Sequence, residues 1–390
     1  MTMSTVLMTI CQSILLVGLI KATYSNINDQ NVNLIDCSRK KLTSMPVFLQ
    51  NTTTDLNLSG NYLQGAFAGL TELLYLNLRT NKLTSNSLRE KIFKDLISLQ
   101  DLEIDDTYFH DNYTSFQSEI SRIKSLVKLK IDLRGRHQMD KCLCDLSNLK
   151  DLEILGLPMK AYSDNSFKKL KCLKIEALSL DKVISLASDT FISFSTLKTL
   201  RINIMYRLAT YNTISSLFNS FKVFKGKNMT EISISNNPRR NRFVLSHSHF
   251  AVLHEVCLQK LNLVGDSILG IQFGPFSRYG YKENCLEELN IDLMFTNKDS
   301  YVFAFCAFKH LRIIRIPHVI VRDKRVKRST ENDVSYSFCI PKTLEQLDFH
   351  SHVKSYNRRR IANLTIINGS NLKIVNMANI TLRDCDGTIY

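Results

Sequence analysis

Three histidines in the pattern H-x-H-x4-H, His247, His249 and His254, are of the residue type that binds transition metals and titrates near neutral pH. His350 and His352 suggest the same two kinds of chemistry. The first three, however, fall in a segment between predicted strands, and a ring nitrogen at His352 can hydrogen-bond the backbone instead. We therefore expect structural or surface roles for all five histidines.

The motifs of common enzyme chemistries are absent from the sequence. It has no G-x-S-x-G nucleophile elbow, no P-loop, no H-E-x-x-H zinc motif and no dinucleotide fingerprint. The C-L-C pair of Cys142 and Cys144 lacks the second close pair of ligands that a structural zinc site needs. We therefore expect a protein that is not an enzyme, with no catalytic residues, no metal and no cofactor.

A basic segment, RVKRS, runs from Arg325 to Ser329 and matches the R-x-K-R pattern that secretory-pathway convertases cleave. It lies in a long polar stretch of the kind that is exposed to proteases. The sequence leaves two outcomes open, cleavage after Arg328 and an uncut basic loop.

The N-terminus predicts entry into the secretory pathway. Residues 1–24 read as a signal peptide, with an apolar stretch from Val6 to Ile20 followed by small residues, although the missing basic residues before it leave a retained signal-anchor as the alternative. Seven Asn-x-Ser/Thr sequons and nine cysteines beyond the signal agree with an oxidising lumen. The sequons are at Asn51, Asn57, Asn112, Asn228, Asn363, Asn368 and Asn379.

The chain of 390 residues, with 44% apolar and 22% charged residues, contains an internal repeat that sets its fold. The frame L-x-x-L-x-L-x-x-N-x-L occurs around Leu56 and around Leu76, and its first three apolar positions recur to give thirteen units of about 27 residues. Each unit predicts a short strand whose L-x-L side chains point into the core, and an aromatic residue such as Phe93, Phe167 or Phe191 closes the opposite side. We predict an α/β leucine-rich-repeat solenoid, a curved horseshoe with a parallel sheet on its concave face and irregular loops and short helices on its convex face.

The asparagine position of the frame, eight residues after the first leucine, is kept only at Asn61, Asn81 and Asn237. Elsewhere it holds residues such as Met294 and Val319. The ladder of internal asparagines is therefore interrupted, and we expect irregular curvature.

The positive charge, a net +15, concentrates away from the predicted concave face. The fifth and seventh positions of the units carry four basic residues, such as Arg79 and Lys130, and seven acidic ones, including Asp105 and Asp132. This excess of acids predicts an acidic concave surface. Nine basic residues at nearly equal phase predict a lateral ridge for an anionic ligand such as nucleic acid or an acidic glycan. They are Arg239, Arg240, Arg242, Arg322, Lys324, Arg325, Arg358, Arg359 and Arg360. Solvated loop charge is the alternative, because no aromatic residues beyond Tyr356 interleave with them.

Cysteines at equal phase in adjacent units predict disulfides, because such residues stack about 5 Å apart. Cys257 and Cys285 each precede the first leucine of a unit by one residue, and Cys306 and Cys339 each precede one by five. A third bridge joins Cys172 to Cys142 or Cys144. Buried free thiols are the alternative.

The opening IDCSRKKLTSMPVFLQNTTTDLNLSGNYL resembles the N-terminal cap and first repeat of Toll-like receptor ectodomains, with Cys37, Leu42, Pro46 and LNLSGN in matching order. The stretches CLEELNIDLMF and AFKHLRIIRI are similar to later repeats of that family. The resemblance implies a cap at residues 25–50, a solenoid at 51–390, and an innate immune receptor that recognises microbial products and signals as a dimer through a TIR domain. Family members that sense nucleic acids carry a processed loop, as RVKRS suggests here.

No closing cysteine-rich cap, transmembrane helix or TIR domain follows in the sequence, so we expect a fragment or truncated form. Expected partners are a microbial or protein ligand and a second receptor chain, with nucleic acid the least favoured. The expected location is the extracellular or endosomal lumen, and the cell membrane only through a further C-terminal segment. The alternative is a secreted or adhesion-type repeat protein that binds another protein on its concave face.

Overall fold

A computed structural model describes twenty stretches of the chain. They are residues 34–46, 49, 51–63, 67–81, 92–105, 113–132, 139–155, 162–204, 211–236, 243–245, 252–263, 268–271, 285–291, 293–296, 301–305, 308–317, 319–322, 334–350, 361–367 and 371–378. The predicted signal peptide lies outside these stretches. The chain divides into two compact units, Met1–Glu153 and Ile154–Tyr390.

The first unit is built from short parallel strands that pair in chain order. They are β1 (Leu34–Asp36), β2 (Asp55–Asn57), β3 (Tyr75–Asn77), β4 (Asp101–Asp105), β5 (Lys128–Asp132) and β6 (Asp151–Leu155), in which the boundary between the units falls. A helix, α1 (Tyr113–Ile120), and a 3-10 helix (Lys141–Asp145) connect successive strands. Phe116 and Ile120 lie four residues apart on α1, so they share the helix face that packs into the core.

The second unit has fifteen strands within its described residues. They are β7 (Ala177–Val183), β8 (Thr199–Ile204), β9 (Asn228–Asn236), β10 (Phe243–Leu245), β11 (Cys257–Leu263), β12 (Ile268–Ile271), β13 (Glu288–Ile291), β14 (Leu293–Thr296), β15 (Tyr301–Ala304), β16 (Ile313–Ile316), β17 (Val319–Arg322), β18 (Val334–Cys339), β19 (Gln346–His350), β20 (Ile361–Ile367) and β21 (Ile374–Ala378). Its helices are α2 (Asp164–Phe167), α3 (Tyr211–Ser220) and 3-10 turns at Lys168–Leu170, Phe221–Phe224 and Val252–Glu255.

The main strands of the second unit again follow chain order, and all their pairs are parallel: β7, β8, β9, β11, β13, β16, β19 and β21. Each of the thirteen sequence frames contains one main strand. The apolar positions of the frame are buried, as Leu99, Leu102 and Ile104 show with no measurable exposure. Repeating parallel strands with this buried phase confirm the predicted α/β leucine-rich-repeat fold.

The side of the core opposite the main strands is closed by aromatic rings. Phe93, Phe167 and Phe191 are all at most 3% exposed. Rings from successive repeats pack together, with Phe67 and Phe93 centroids 5.7 Å apart and Phe191 stacking on Phe224 at the same distance. Large buried rings of this kind add packing energy beyond their burial and keep successive repeats together.

Asparagine side chains bridge neighbouring repeats in the first unit. The Oδ1 of Asn61 accepts the backbone N–H groups of Lys40 and Leu42 at 2.9 and 3.0 Å, and its Nδ2 donates to the carbonyls of Cys37 and Leu58 at 2.9 and 2.8 Å. Asn81 repeats the pattern one repeat later, donating to two carbonyls and accepting one N–H. One buried amide thus satisfies up to four backbone groups that would otherwise be stranded.

Three additional parallel sheets in the second unit were not predicted from the sequence. They pair β10 with β12, β14 with β17, and β15 with β18 and β20. The strands β14 and β17 begin two and three residues after the ends of β13 and β16, and they include the two asparagine positions occupied by Met294 and Val319. Segments expected to be irregular loops therefore carry a second strand ladder.

Candidate ligand-binding surface

The outward face of the main strands is the surface that the repeats present in a regular array. In β4 the side chains of Leu102 and Ile104 point into the core, so Asp101 and Glu103 point to the opposite side and are half-buried. The same alternation places one or two outward polar residues on nearly every main strand. We call these side chains the outward face.

Ion pairs cross the outward face of the first unit from strand to strand. Glu103 lies 4.0 Å from the guanidinium of Arg79 and 3.8 Å from the Nζ of Lys130, and it accepts a hydrogen bond from the Tyr75 hydroxyl at 3.2 Å. Lys130 continues to Glu153 at 3.2 Å. Charges of alternating sign therefore follow one another across four strands.

The outward face of the second unit carries a similar array, which we call the charge ladder. Its members are Lys260, Glu288, Arg315, Asp348 and Asn376, one on each of five successive main strands. Glu288 lies 3.0 Å from Lys260 and forms an ion pair with Arg315. Arg315 reaches Asp348 at 3.3 Å, and Asp348 accepts a hydrogen bond from Asn376 at 2.6 Å. Every charge in this array has an opposite charge beside it.

The prediction of an acidic concave surface needs correction at two residues. Asp105 and Asp132 were counted as outward charges, but they are only 2% and 3% exposed, and Asp105 accepts a short hydrogen bond from the backbone of Thr80. The count also left out the outward residue two positions before the first counted one, where the described strands carry five acids and two bases: Asp55, Asp101, Asp151, Glu231 and Glu288 against Lys128 and Lys260. The described outward face therefore keeps an excess of acids, although many of them pair with bases.

Two carboxyls of the outward face have pKa shifts of opposite sign. Burial raises the pKa of Asp101 above its ordinary value, and the charge and hydrogen bond of Lys128 only partly offset this effect. Burial acts in the same direction on Glu288, but hydrogen bonds from Lys260 and Asn290 and the charge of Arg315 outweigh it and lower the pKa. The second unit therefore stabilises its carboxylate more strongly.

A lateral groove of about 740 Å³ crosses four repeats of the second unit. The side chains along it come from the residue just after the first leucine of each frame and from the residue just before it. The first row is Glu287, Arg312, Glu345 and Lys373, and the second is His310, Thr343 and Asn371, with Leu372 between them. This groove was not predicted from the sequence, although the alternating charge after each first leucine is visible in the repeat frame.

Ion pairs join neighbouring charges of the first row. The Nε of Arg312 donates to one Glu345 oxygen at 2.8 Å, and the Nζ of Lys373 lies 3.2 Å from the other. Hydrogen bonds from these two cations lower the pKa of Glu345. Backbone bonds of 2.8 Å from Arg312 to Glu287 and from Glu345 to Arg312 keep the row in strict register.

The predicted basic ridge lies almost entirely outside the described residues. Arg322 ends β17, and nothing is described of the other eight. Arg328, at the convertase motif, also lies outside them, between β17 and β18. His247 and His249 lie outside as well, whereas His254 is in the 3-10 turn Val252–Glu255.

The structure brings Cys257 and Cys285 together in a disulfide between β11 and the start of the next frame, with Cα atoms 5.1 Å apart. Cys142 is a free, half-buried thiol, so its prediction as a bridging cysteine is wrong; Cys144 and Cys172 are both disulfide-bonded. Asp140 caps the 3-10 turn by accepting the Cys142 N–H, and burial raises the pKa of the Cys142 thiol to about 11.

The pair Cys306 and Cys339 stays a prediction, since Cys306 lies outside the described residues. Cys37 is a free, buried thiol, and burial raises its pKa to about 11. Disulfides form in oxidising compartments, so the bonded cysteines point to a secretory-pathway or extracellular protein.

Of the seven sequons, three have described side chains. Asn51 and Asn228 are exposed, and Asn57 is half-buried on the outward face, where its Oδ1 accepts the Ser59 N–H at 3.1 Å. Asn363 lies in β20. The remaining three, Asn112, Asn368 and Asn379, lie outside the described residues.

The described part of the chain contains no group of three or more His, Cys, Asp or Glu side chains placed to hold a metal ion. None of the helices within those stretches is long and apolar enough to cross a membrane. What the described geometry offers is a pair of polar surfaces, the outward face and the lateral groove, on a regular strand scaffold.

No model of a known protein family matches the sequence. Solved structures similar to the chain include the crystal structure of the mouse RP105/MD-1 complex, at 13% identity and a TM-score of 0.46, covering 89% of this chain and 70% of that one. Human 5T4, the Wnt-activated inhibitory factor 1, is similar at 20% identity and a TM-score of 0.36, covering 59% and 90%.

A third similar chain comes from the octameric complex of Latrophilin 3, Unc5D and the leucine-rich-repeat protein FLRT2, at 15% identity and a TM-score of 0.38, covering 68% of this chain and 83% of that one. These likenesses are distant, and the assignment of the fold rests on the repeated, buried strand pattern of the chain itself. That pattern makes the protein a leucine-rich-repeat protein.

Proposed function

We propose that the chain is the ligand-binding ectodomain of a receptor of the Toll-like kind, which recognises a microbial or protein ligand on its outward face. The observation that carries the proposal is the charge ladder of the second unit. It arranges five polar side chains on five adjacent strands of one sheet, with Lys260 and Glu288 at one register position and Arg315, Asp348 and Asn376 two residues further along their strands.

A surface of this kind suits macromolecular recognition. The four charged side chains of the ladder are between 15% and 37% exposed, so packing restricts their positions while a partner can still reach them. Paired charges at defined positions favour a partner with the complementary pattern and disfavour others, because a mismatched charge would be desolvated without compensation. Arginine is also among the residue types that contribute most to binding energy at interfaces.

The Toll-like assignment is supported by the resemblance of the N-terminal cap and first repeat, and a dimer that signals through an attached TIR domain follows from that resemblance. The disulfides support passage through the secretory pathway. Residence at the cell surface or in an endosome, binding of an anionic ligand at the basic ridge, and cleavage after Arg328 belong to the same proposal.

A secreted or adhesion-type protein is the second candidate. The pairing of charges on the outward face favours it, because a face with paired charges fits another protein better than it fits a highly charged microbial polymer. The two candidates use the same surface and differ in the class of ligand.

Binding of the purified, secreted chain to two sets of probes separates the candidates. One set contains a triacylated lipopeptide, lipopolysaccharide, flagellin and double-stranded RNA; the other is an array of extracellular protein domains. Any probe that binds is then tested against the double variant Lys260→Glu/Arg315→Glu. We expect at least about a tenfold loss of affinity if the ladder lies in the interface.

The matched control is Lys225→Glu. Lys225 also forms an ion pair with a glutamate, Glu255 at 2.9 Å, but it lies on the turn after a 3-10 helix and not on the outward face. Equal losses from both variants, or none from the ladder variant, would contradict the use of the outward face. Binding confined to the protein array would favour the adhesion-type candidate.

A further inference from the structure

The lateral groove offers two parallel rows of hydrogen-bonding side chains. The row of charges follows four repeats, which is three strand spacings of about 4.8 Å, or about 14 Å in all, and the row formed by His310, Thr343 and Asn371 follows three of these repeats. The three side chains of the second row are exposed. The groove therefore suits an elongated ligand that repeats its polar groups at about the spacing of the strands.

The charges of the groove disfavour an ionic ligand. Arg312 and Lys373 both bind Glu345, so a ligand carboxylate or phosphate would have to compete with an ion pair that is already formed. Groups that both donate and accept hydrogen bonds suit the groove better, since the exposed side chains of its two rows include both donors and acceptors. Hydroxyl and amide groups of a saccharide have this property, and the half-buried Leu372 gives the apolar face of a sugar ring a surface to contact.

The sequence places a source of saccharide beside the groove. The sequon Asn368-Gly369-Ser370 directly precedes Asn371, which lines it. Three residues span at most about 11 Å, which is shorter than the groove itself. A glycan on Asn368 is thus tethered within reach of the groove, and tethering raises its local concentration far above that of a free sugar.

We propose that the lateral groove binds the core saccharide of an N-linked glycan, supplied by Asn368 of the same chain. The groove is separate from the outward face, so this proposal stands or falls independently of the proposed function. Its consequence is that the glycan covers the lateral side of the last four repeats and leaves the outward face as the surface open to partners.

Reactivity of Lys373 towards an acylating reagent tests the proposal on the whole secreted chain. We compare the glycosylated protein with Asn368→Gln and with Ser370→Ala, which removes the sequon but keeps the asparagine. A glycan that occupies the groove for two-thirds of the time slows acylation about threefold. Mass spectrometry of the glycopeptide confirms that Asn368 is modified.

Lys124 is the internal control. Its Nζ lies 3.2 Å from Asp145, the same distance as Lys373 from Glu345, and the two lysine side chains are 60% and 70% exposed. The reactivity of Lys124 should be the same in all three proteins. A change at Lys124 equal to that at Lys373 would reveal a general effect of glycosylation and would contradict the proposal.

The second arm adds N,N′-diacetylchitobiose, the core disaccharide, to Asn368→Gln. Protection of Lys373 from acylation in this arm alone supports the groove as a saccharide site but overturns the glycan of Asn368 as its occupant. The groove would then bind a glycan of another molecule. Lack of protection in both arms overturns the proposal as a whole.

Discussion

The first and second units differ in how they provide hydrogen-bond partners for the backbone that follows their main strands. In the first unit, Asn61 and Asn81 occupy the position eight residues after the first leucine and bond the backbone of the preceding repeat. In the second unit the same position holds Met294 and Val319, which lie in the paired strands β14 and β17, where Met294 is opposite Ile320 and Val319 is opposite Leu293. The same requirement of the backbone is met by a side chain in one region and by a strand ladder in the other.

The difference shows that the asparagine of the repeat is one solution to a more general problem. Buried N–H and C=O groups must find partners, and either an amide side chain or an adjacent strand can provide them. Aliphatic and β-branched residues are poor substitutes for an amide but are good strand residues. The replacements in the second unit are therefore compatible with the extra sheets and do not interrupt the fold.

Replacement of Asn61 by alanine should have the largest effect. It removes four hydrogen bonds of 3.0 Å or less, and a fifth of 3.5 Å, from a side chain that is 1% exposed and leaves buried backbone groups without partners. We expect a loss of about 3 to 5 kcal/mol in the stability of the first unit, because each stranded group costs about 1–3 kcal/mol and partial relaxation recovers some of it. Urea unfolding and hydrogen exchange at Lys40 and Leu42 measure the loss.

Asn77→Ala is the control for that measurement. Asn77 is half-buried on the outward face, and its side-chain oxygen accepts one backbone hydrogen bond, from Arg79 at 3.0 Å. Its replacement should cost about 1 kcal/mol or less. Similar losses for the two variants would show that the asparagine position has no special role in the first unit.

The fold could be predicted from the sequence because the buried positions repeat with one residue type. Leu102, Leu129 and Leu152 all occupy the same phase, and a single frame finds them. The extra sheets could not be predicted in this way, because their residues share no repeated pattern and pair only after the main strands have placed them side by side. The ladder charges were partly identified, but their pairing depends on which strands are neighbours and on side-chain direction.

Among the candidate sites, the cysteines could likewise be paired from the sequence only where they share a repeated position. Equal phase indicated Cys257 and Cys285 because both directly precede a buried leucine. Cys142 and Cys144 lie two residues apart in a 3-10 turn, and sequence spacing alone could not choose between them. The groove was missed because a search for clusters of like charge overlooks a row whose charges alternate.

Replacement of Arg315 by methionine should have the second largest effect and tests whether the charge ladder also stabilises the second unit. Methionine keeps the apolar stem and leaves Glu288 and Asp348, which are 19% and 15% exposed, without their shared cation. We expect a loss of about 1 to 2 kcal/mol, reduced from the value for fully buried pairs because solvent reaches the site. Arg312→Met, which breaks an exposed pair, should cause no resolvable change in thermal unfolding.

The pH dependence of the two units should differ in sign at their outward carboxyls. The pKa of Glu288 is lower in the folded state than in the unfolded state. The stability that its ionised carboxylate contributes is therefore fully present above the unfolded pKa and is lost as the pH falls through the folded pKa. The folded pKa of Asp101 is raised, so ionisation at rising pH weakens the first unit and protonation relieves the cost. Carboxyl titrations by NMR should place the two shifts on opposite sides of the ordinary values, and Glu288→Gln should flatten the acid-induced loss in the second unit only.

The smallest effect is expected where the consensus asparagine is restored in the second unit, as Val319→Asn. Strand pairing of Val319 with Leu293 already engages the backbone there, so an added amide has no stranded groups to satisfy. We expect no gain in urea stability and no change in hydrogen exchange along β14, within about 0.5 kcal/mol. A gain of more than about 1 kcal/mol would mean that backbone groups at this position are unpaired in the second unit. The two units would then differ in how many of these backbone groups are hydrogen-bonded, and not in whether a side chain or a neighbouring strand bonds them.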